Sequence, residues 1–143
     1  MKHEILIYNQ TKVRVPKKFI EDIISTALDF LKLKQPAELA VLIVSAEEIR
    51  KLNKIWRKKK YTPDELSFGL NSRKVTKLAK EQNKVLELGE IVVNVDKISD
   101  KNNLAKILVH SLLHLLGYNH EKSKTEALKT ERLEAKTLKH LKI

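Results

Sequence analysis

The chain has 143 residues, enough for one domain with a sizeable core. Its 42% apolar content, with only three Gly and three Pro, excludes a linker-rich or disordered polypeptide, and the absence of cysteine excludes disulfides and thiolate metal sites. Against 18 Asp and Glu stand 29 Lys and Arg, a net charge of +11 that suits a polyanionic partner such as nucleic acid but also arises from lysines that are merely solvated.

Met1 to Ile5 lacks the apolar core of a signal peptide, and no apolar run approaches the roughly 20 residues that span a bilayer. A cytoplasmic protein without membrane association is expected. Ile5-Leu6-Ile7-Tyr8 reads as a first strand, with Val13-Arg14-Val15 its continuation or its partner across a turn. Pro16 opens a helix whose apolar residues Phe19, Ile20, Ile23, Ile24, Ala27, Leu28 and Leu31 recur at three and four. Lys34-Gln35-Pro36 breaks it. Glu38 to Val44 is a β-branched apolar run, expected to be a strand buried on both faces.

Ser45, with Glu48 three residues on, is a capping box. It starts a helix with Ile49, Leu52, Ile55 and Trp56 on one face, and Trp56 reads as a core residue rather than a base-stacking platform. Arg57-Lys58-Lys59-Lys60 ends that helix, where the helix dipole favours cations. Tyr61 to Asp64 is a turn and Glu65 to Leu70 alternates like a strand. Ser72 to Leu86 is polar and weakly periodic, a loop or marginal helix. Leu88 to Val95 is another buried strand. Ser99-Asp100 caps a central helix over about 101–116 that is apolar nearly all round. A second capping box, Ser123 with Glu126, starts a last helix with Ala127, Leu128, Ala135, Leu138 and Leu141 towards the core. The order β-α-β-α-β-β-α-α predicts an α+β fold, a mixed sheet of about four strands packed with helices, in a single domain over residues 1–143.

Three of the five histidines, His110, His114 and His120, fall in one stretch at i, i+4 and i+10. Positions four apart share a helix face. Gly117 supplies the left-handed turn that ends the helix and folds the chain back towards His120. Three neutral imidazoles converging in this way form a tripod for zinc or a similar divalent ion, with a fourth position open to water. Such a site keeps the ion's full charge, can lower the pKa of a bound water to about 7, and can polarise a phosphoryl or carbonyl oxygen. His3 and His140 have no such company and read as surface residues.

The same spacing occurs in metzincin proteases, written H-E-x-x-H-x-x-G-x-x-H. Those enzymes need a glutamate after the first histidine as general base, and here that residue is Ser111. The methionine turn is absent too, since Met1 is the only methionine.

Val109-His110-Ser111-Leu112-Leu113-His114-Leu115-Leu116-Gly117-Tyr118-Asn119-His120 resembles the H-G-x-L-H-L-x-G-Y-D-H signature of the bacterial YbeY family, rRNA maturation factors described as metal-dependent endoribonucleases. Leu52-Asn53 with Arg57, then Asp64 and Leu66-Ser67-Phe68, resembles the family's L-N-x-x-[YW]-R and P-T-D-V-L-S-F. Leu88 to Val93 resembles its L-G-D-I-x-I. These blocks run in the family's order across roughly residues 39 to 130. The resemblance implies His110, His114 and His120 as ligands of one Zn2+ per chain. It implies Arg57 as an arginine needed for activity, and His114 as catalytic through the metal.

Independently, a guanidinium beside a dication can grip a phosphate bidentately, although Arg57 also fits as a plain helix-terminal cation. The resemblance further implies a zinc-dependent, single-strand endoribonuclease acting in 16S rRNA 3′-end maturation and ribosome quality control. Its implied partners are ribosomal RNA, small-subunit ribosomal proteins and an assembly GTPase. A metal-dependent hydrolase of another substrate, such as a metzincin-like peptidase, and a non-catalytic RNA-binding assembly factor are the alternatives.

The chain departs from the family pattern in several places. Ser111 stands for a glycine, Asn119 and Glu90 each for an aspartate, and Thr62-Pro63-Asp64-Glu65 for P-T-D-V, which adds a carboxylate. The segment from Val95 to His110 is also several residues shorter.

Overall fold

The computed structural model describes residues 2–33, 35–69, 85–118 and 123–143. The stretch 72–84, expected as a loop or marginal helix, lies outside the described residues, as does His120. Four strands, β1 (Glu4–Asn9), β2 (Ala37–Val44), β3 (Glu65–Gly69) and β4 (Leu86–Asn94), form one mixed sheet in the order β1-β2-β4-β3. β1, β2 and β4 are parallel, and β3 is antiparallel to β4. The helices are α1 (Lys17–Phe30), α2 (Ala46–Arg57), α3 (Lys101–Leu115) and α4 (Lys124–His140). The fold class is the one predicted, and so is the order of the elements among the described residues. Among the described residues, no helix is long and apolar enough to cross a membrane.

Parallel strands need long crossovers, so each face of the sheet receives helices. α1 and α3 cover one face. There, Ile20, Ile24 and Leu28 meet Leu39, Val41 and Ile43 of β2 and the inner residues of α3 in the main core. α2 covers the other face through a smaller cluster of Val44, Ile49, Leu66 and Val92. The expectation that β2 is buried on both faces is therefore only half met. Leu39, Val41 and Ile43 are buried, whereas Glu38, Ala40 and Leu42 are partly exposed, because α2 spans only part of its face.

β4 shows how one glycine sets the register. The pairing of β2 with β4 shifts between Glu38 and Leu39, whose partners are Glu87 and Gly89, so one extra residue enters β4. Side chains alternate along a strand, and an extra residue reverses the alternation. Leu86 and Leu88 before the bulge and Ile91 and Val93 after it consequently all enter the main core. Without the bulge, Glu90 would point there. Gly89 holds a φ of +121°, and a Cβ on it would lie 2.2 Å from the Phe68 carbonyl oxygen on β3. Gly89→Ala is expected to destabilise by about 2–3 kcal/mol, from left-handed strain and forced separation of β3 from β4. Thermal unfolding followed by circular dichroism measures it, and an unchanged midpoint would show that the strands part at no cost.

Three other expectations are corrected. Val13 to Val15 forms no strand, because the Asn9 side chain ties down the loop, donating to the Val13 carbonyl at 2.7 Å and accepting from the Thr11 N–H at 3.0 Å. α4 meets the core through Leu138 and Leu141, as expected, but not through all of the expected face. Leu128 and Ala135 are exposed, and Thr130 and Thr137 are buried instead. Their hydroxyls donate to the Glu126 and Leu133 carbonyls at 2.8 and 2.7 Å, which lets a polar side chain face the core with its hydrogen bond made. Finally, the His3 side chain is fully buried. The Ala37 N–H donates to its Nδ1 at 2.9 Å and its Nε2 lies 2.9 Å from Asp29, so His3 pins the start of β1 to the end of α1 and the start of β2. His140 is exposed, as expected, and stacks on Phe30 with ring centroids 4.5 Å apart.

Candidate metal centre and phosphate pocket

α3 presents the histidines. Asp100 caps it, its carboxylate accepting from the Asn102 and Asn103 N–H groups at 2.9 and 3.1 Å. The buried residues on both sides of His110 and His114 fix the helix against β3, β4, α1 and α4. The two imidazoles emerge one turn apart with ring centroids 4.6 Å from each other and planes tilted by 42°. α3 ends as the sequence predicts. Gly117 takes a φ of 97°, its N–H donates to the His114 carbonyl at 3.0 Å, and the Tyr118 N–H donates to Leu113 at 3.0 Å. This is a Schellman motif, which ends α3 just beyond the second histidine.

His110 has a carboxylate behind it. Its Nδ1 lies 3.4 and 3.5 Å from the two Glu134 oxygens of α4. Facing a carboxylate, Nδ1 carries the proton, which leaves Nε2 as the lone-pair nitrogen. The hydrogen bond to Glu134 raises the His110 pKa above its ordinary value. Partial burial opposes the rise, and the charges of Glu134 and Glu65 add to it. Carboxylate-backed imidazole is the usual support of a metal-binding histidine, so the pair fits a shared divalent ion. Among the described residues, no cluster of three or more His, Cys, Asp or Glu is arranged to hold a metal. The third expected ligand, His120, lies outside them.

In front of His110 opens a pocket of about 490 Å3, lined by Arg57, Tyr61, Thr62, Pro63, Asp64, Glu65, Lys106, Ile107 and His110. It joins the end of α2, the following turn, the start of β3 and one wall of α3. Arg57 and His110, remote in sequence, therefore line one cavity, while His114 is exposed and stands outside its lining. Two buried amides shape the wall. Asn53 of α2 donates to the Tyr61 carbonyl at 2.9 Å, and Asn94 at the end of β4 donates to Pro63 at 3.3 Å. The Asp64 carbonyl also accepts from the Asn94 N–H at 2.9 Å. Lys58 takes a left-handed conformation, and the Lys59 N–H returns to the Asn53 carbonyl at 3.3 Å, which turns the chain into that wall.

Sequence reasoning missed Glu134 and Lys106, which no local spacing marks. Glu65 was visible only as an added carboxylate, and its purpose emerges here. The Ser111 hydroxyl, fully buried, donates to Glu65 at 2.8 Å, and Ser67 donates to the same oxygen at 3.0 Å. Ser111 and Glu65, two departures from the family pattern 46 residues apart, are thus partners. Ser111→Ala is expected to cost about 1.5–3 kcal/mol, because a hydrogen bond to a buried-side carboxylate is lost. Adding Glu65→Val should cost about 1 kcal/mol less than it does in the parent, since the Ser111 donor is already gone and only the Ser67 hydroxyl then loses its acceptor. A double-mutant cycle by urea unfolding measures the coupling, and strictly additive losses would separate the two residues energetically.

A family model described as Endoribonuclease YbeY matches residues 6–142. The Endoribonuclease YbeY of Thermodesulfovibrio yellowstonii is 34% identical, covering 96% of this chain and 96% of that protein. The protein of the same name from Spiroplasma citri is 30% identical over 100% of this chain and 96% of its own length. That of Aquifex aeolicus is 34% identical over 91% and 87%. The solution structure of TM1509 from Thermotoga maritima covers 96% of this chain and 91% of its own with a TM-score of 0.56 at 23% identity, a likeness of fold.

Proposed function

The chain belongs to the Endoribonuclease YbeY family, and from that premise we propose that it is a zinc-dependent endoribonuclease. On this reading it acts on single-stranded RNA in 16S rRNA 3′-end maturation and ribosome quality control. The observation that carries the reading is the pocket shared by Arg57 and His110. A guanidinium beside a metal-binding imidazole matches a phosphodiester better than a peptide bond.

His110, His114 and His120 would hold one zinc ion, which when bound supplies Lewis-acid polarisation of a phosphoryl oxygen. Glu134 fixes the His110 ring with Nε2 turned away from the carboxylate and available to the ion. Arg57 donates two parallel N–H groups to non-bridging phosphate oxygens and stabilises the charge that grows on them during cleavage. Lys106 adds a positive charge on the same wall, while Lys58, Lys59 and Lys60 attract the backbone in a salt-dependent way. A peptidase of the metzincin kind would need a carboxylate base at position 111. Ser111 stands there, with its hydroxyl given to Glu65. Ribosomal RNA, small-subunit proteins and an assembly GTPase are the partners on this reading, and the cytoplasm its location.

Incubating zinc-loaded and chelator-stripped protein with single-stranded RNA and with casein tests the reading. The expected result is zinc-dependent RNA cleavage with casein left intact. Casein cleavage without RNA cleavage would overturn it in favour of a peptidase. RNA binding without cleavage in any metal would assign a non-catalytic assembly factor.

A further inference from the structure

Trp56, the only tryptophan of the chain, is 68% exposed rather than buried. By helical spacing it belongs with Ile49 and Leu52, but among the described residues only those two apolar side chains of α2 join the smaller core cluster, and Trp56 lies over Phe68 of the edge strand β3. There the indole meets Phe68 nearly edge to face, with centroids 6.2 Å apart and planes at 70°. Rings crossed at that angle hold each other's orientation while leaving at least one indole face uncovered by the phenyl ring.

The exposure is not isolated. Ile55 is 66% and Tyr61 is 54% exposed, so three of the seven large apolar side chains left exposed among the described residues fall between positions 55 and 61. The residues among them are Arg57, Lys58, Lys59 and Lys60, all exposed, with no acid in the segment. Apolar patches on a protein surface usually mark a binding site. A second copy of this chain would bring four cations against four, which disfavours self-association. A run of four cations flanked by an open aromatic face suits a strand that offers both phosphates and unpaired bases.

We propose that Trp56, braced by Phe68, is a stacking platform for an unpaired base next to the phosphate gripped at Arg57. This rests on the RNA reading above and narrows it. Arg57 follows Trp56 directly, and Tyr61 lines the Arg57–His110 pocket while remaining exposed, so the platform adjoins the cleavage site. A duplex keeps its bases stacked on one another, so the platform selects single-stranded RNA near the scissile bond. Trp56 is a positioning residue for substrate and takes no part in bond breaking.

With one tryptophan, indole emission reports on this position alone. Chelator-stripped protein, which leaves the RNA intact, is titrated with a short single-stranded oligoribonucleotide and with its duplex, following emission and RNA anisotropy together. Saturable quenching by the single strand and little by the duplex is expected. Trp56→Ala should weaken single-strand binding roughly 5- to 100-fold, while Trp56→Phe, which keeps a π-face, should retain most of it. In the zinc-loaded cleavage assay, Trp56→Ala should raise KM and leave kcat within about twofold. RNA that binds with unchanged emission, and equally tightly to Trp56→Ala, would overturn the platform and leave the RNA reading standing. No RNA binding by any variant would sink both. Emission that varies with protein concentration, together with a dimer in sedimentation, would assign the patch to a second copy and overturn the proposal.

Discussion

His114→Ala is expected to lose its zinc on dialysis and to cleave RNA no faster than the chelator-stripped protein. Losing only an outer partner of a metal ligand already costs about 10- to 100-fold in affinity or activity, so loss of a ligand itself should cost at least about 100-fold in zinc affinity. The fold should not suffer. His114 is exposed on a long helix whose packing is carried by Leu104, Leu108, Leu112, Leu113 and Leu115, and alanine is the best helix former. The thermal midpoint should stay near that of the chelator-stripped parent, so lost activity can be assigned to the site. His110→Ala is a less clean probe, because the partly buried ring is backed by Glu134, and its removal leaves that carboxylate unpaired. Metal analysis, thermal unfolding and RNA cleavage on one preparation make the comparison. A His114→Ala protein that loses zinc yet supports normal 16S 3′-end maturation would refute the enzymatic reading and favour an assembly factor.

What could be read from the sequence was what depends on near neighbours. The His110–His114 pair follows from helical periodicity alone, and the Gly117 turn, the Ser45 and Ser123 caps and the Asp100 cap all lie within a few residues of what they satisfy. Element order followed from alternating periods. Side-chain direction did not follow wherever a non-local contact decided it. The bulge beside Gly89 reverses β4 against β2, and β3 on the other side leaves no room for a Cβ there. On α4, two threonines satisfy their own hydroxyls and so can be buried where Leu128 and Ala135 are not, and Glu134 of the same helix meets His110. Trp56 was assigned to the core because periodicity describes a helix face without saying how far the neighbouring sheet extends beneath it. For the site, the approach of Arg57 to His110 came from family resemblance and is explained by the turn anchored at Asn53 and Asn94. The Ser111–Glu65 contact joins by one hydrogen bond two residues that read singly as departures from the family's pattern.

Arg57→Ala is the second variant expected to act strongly, and it should act differently from His114→Ala. Zinc content should be unchanged, since Arg57 lies on α2 and donates no lone pair to a metal. Stability should fall by no more than about 0.3–1 kcal/mol, the worth of an exposed cation at a helix C-terminus. The rate should drop by about 100- to 1,000-fold in kcat, the usual effect of removing one preorganised donor to charge that develops in the transition state. Arg57→Lys should recover only part of this, because an ammonium restores the charge without the planar fork that meets two phosphate oxygens at once. Replacing Lys58, Lys59 and Lys60 by alanine should instead weaken RNA binding and flatten its salt dependence, with kcat at saturating RNA little changed. That contrast separates a group that meets the reacting phosphate from groups that only attract the strand. If Arg57→Ala changed KM and salt dependence like the lysine variants and left kcat intact, Arg57 would be one more cation of the RNA track, and the pocket before His110 would lack its phosphate grip.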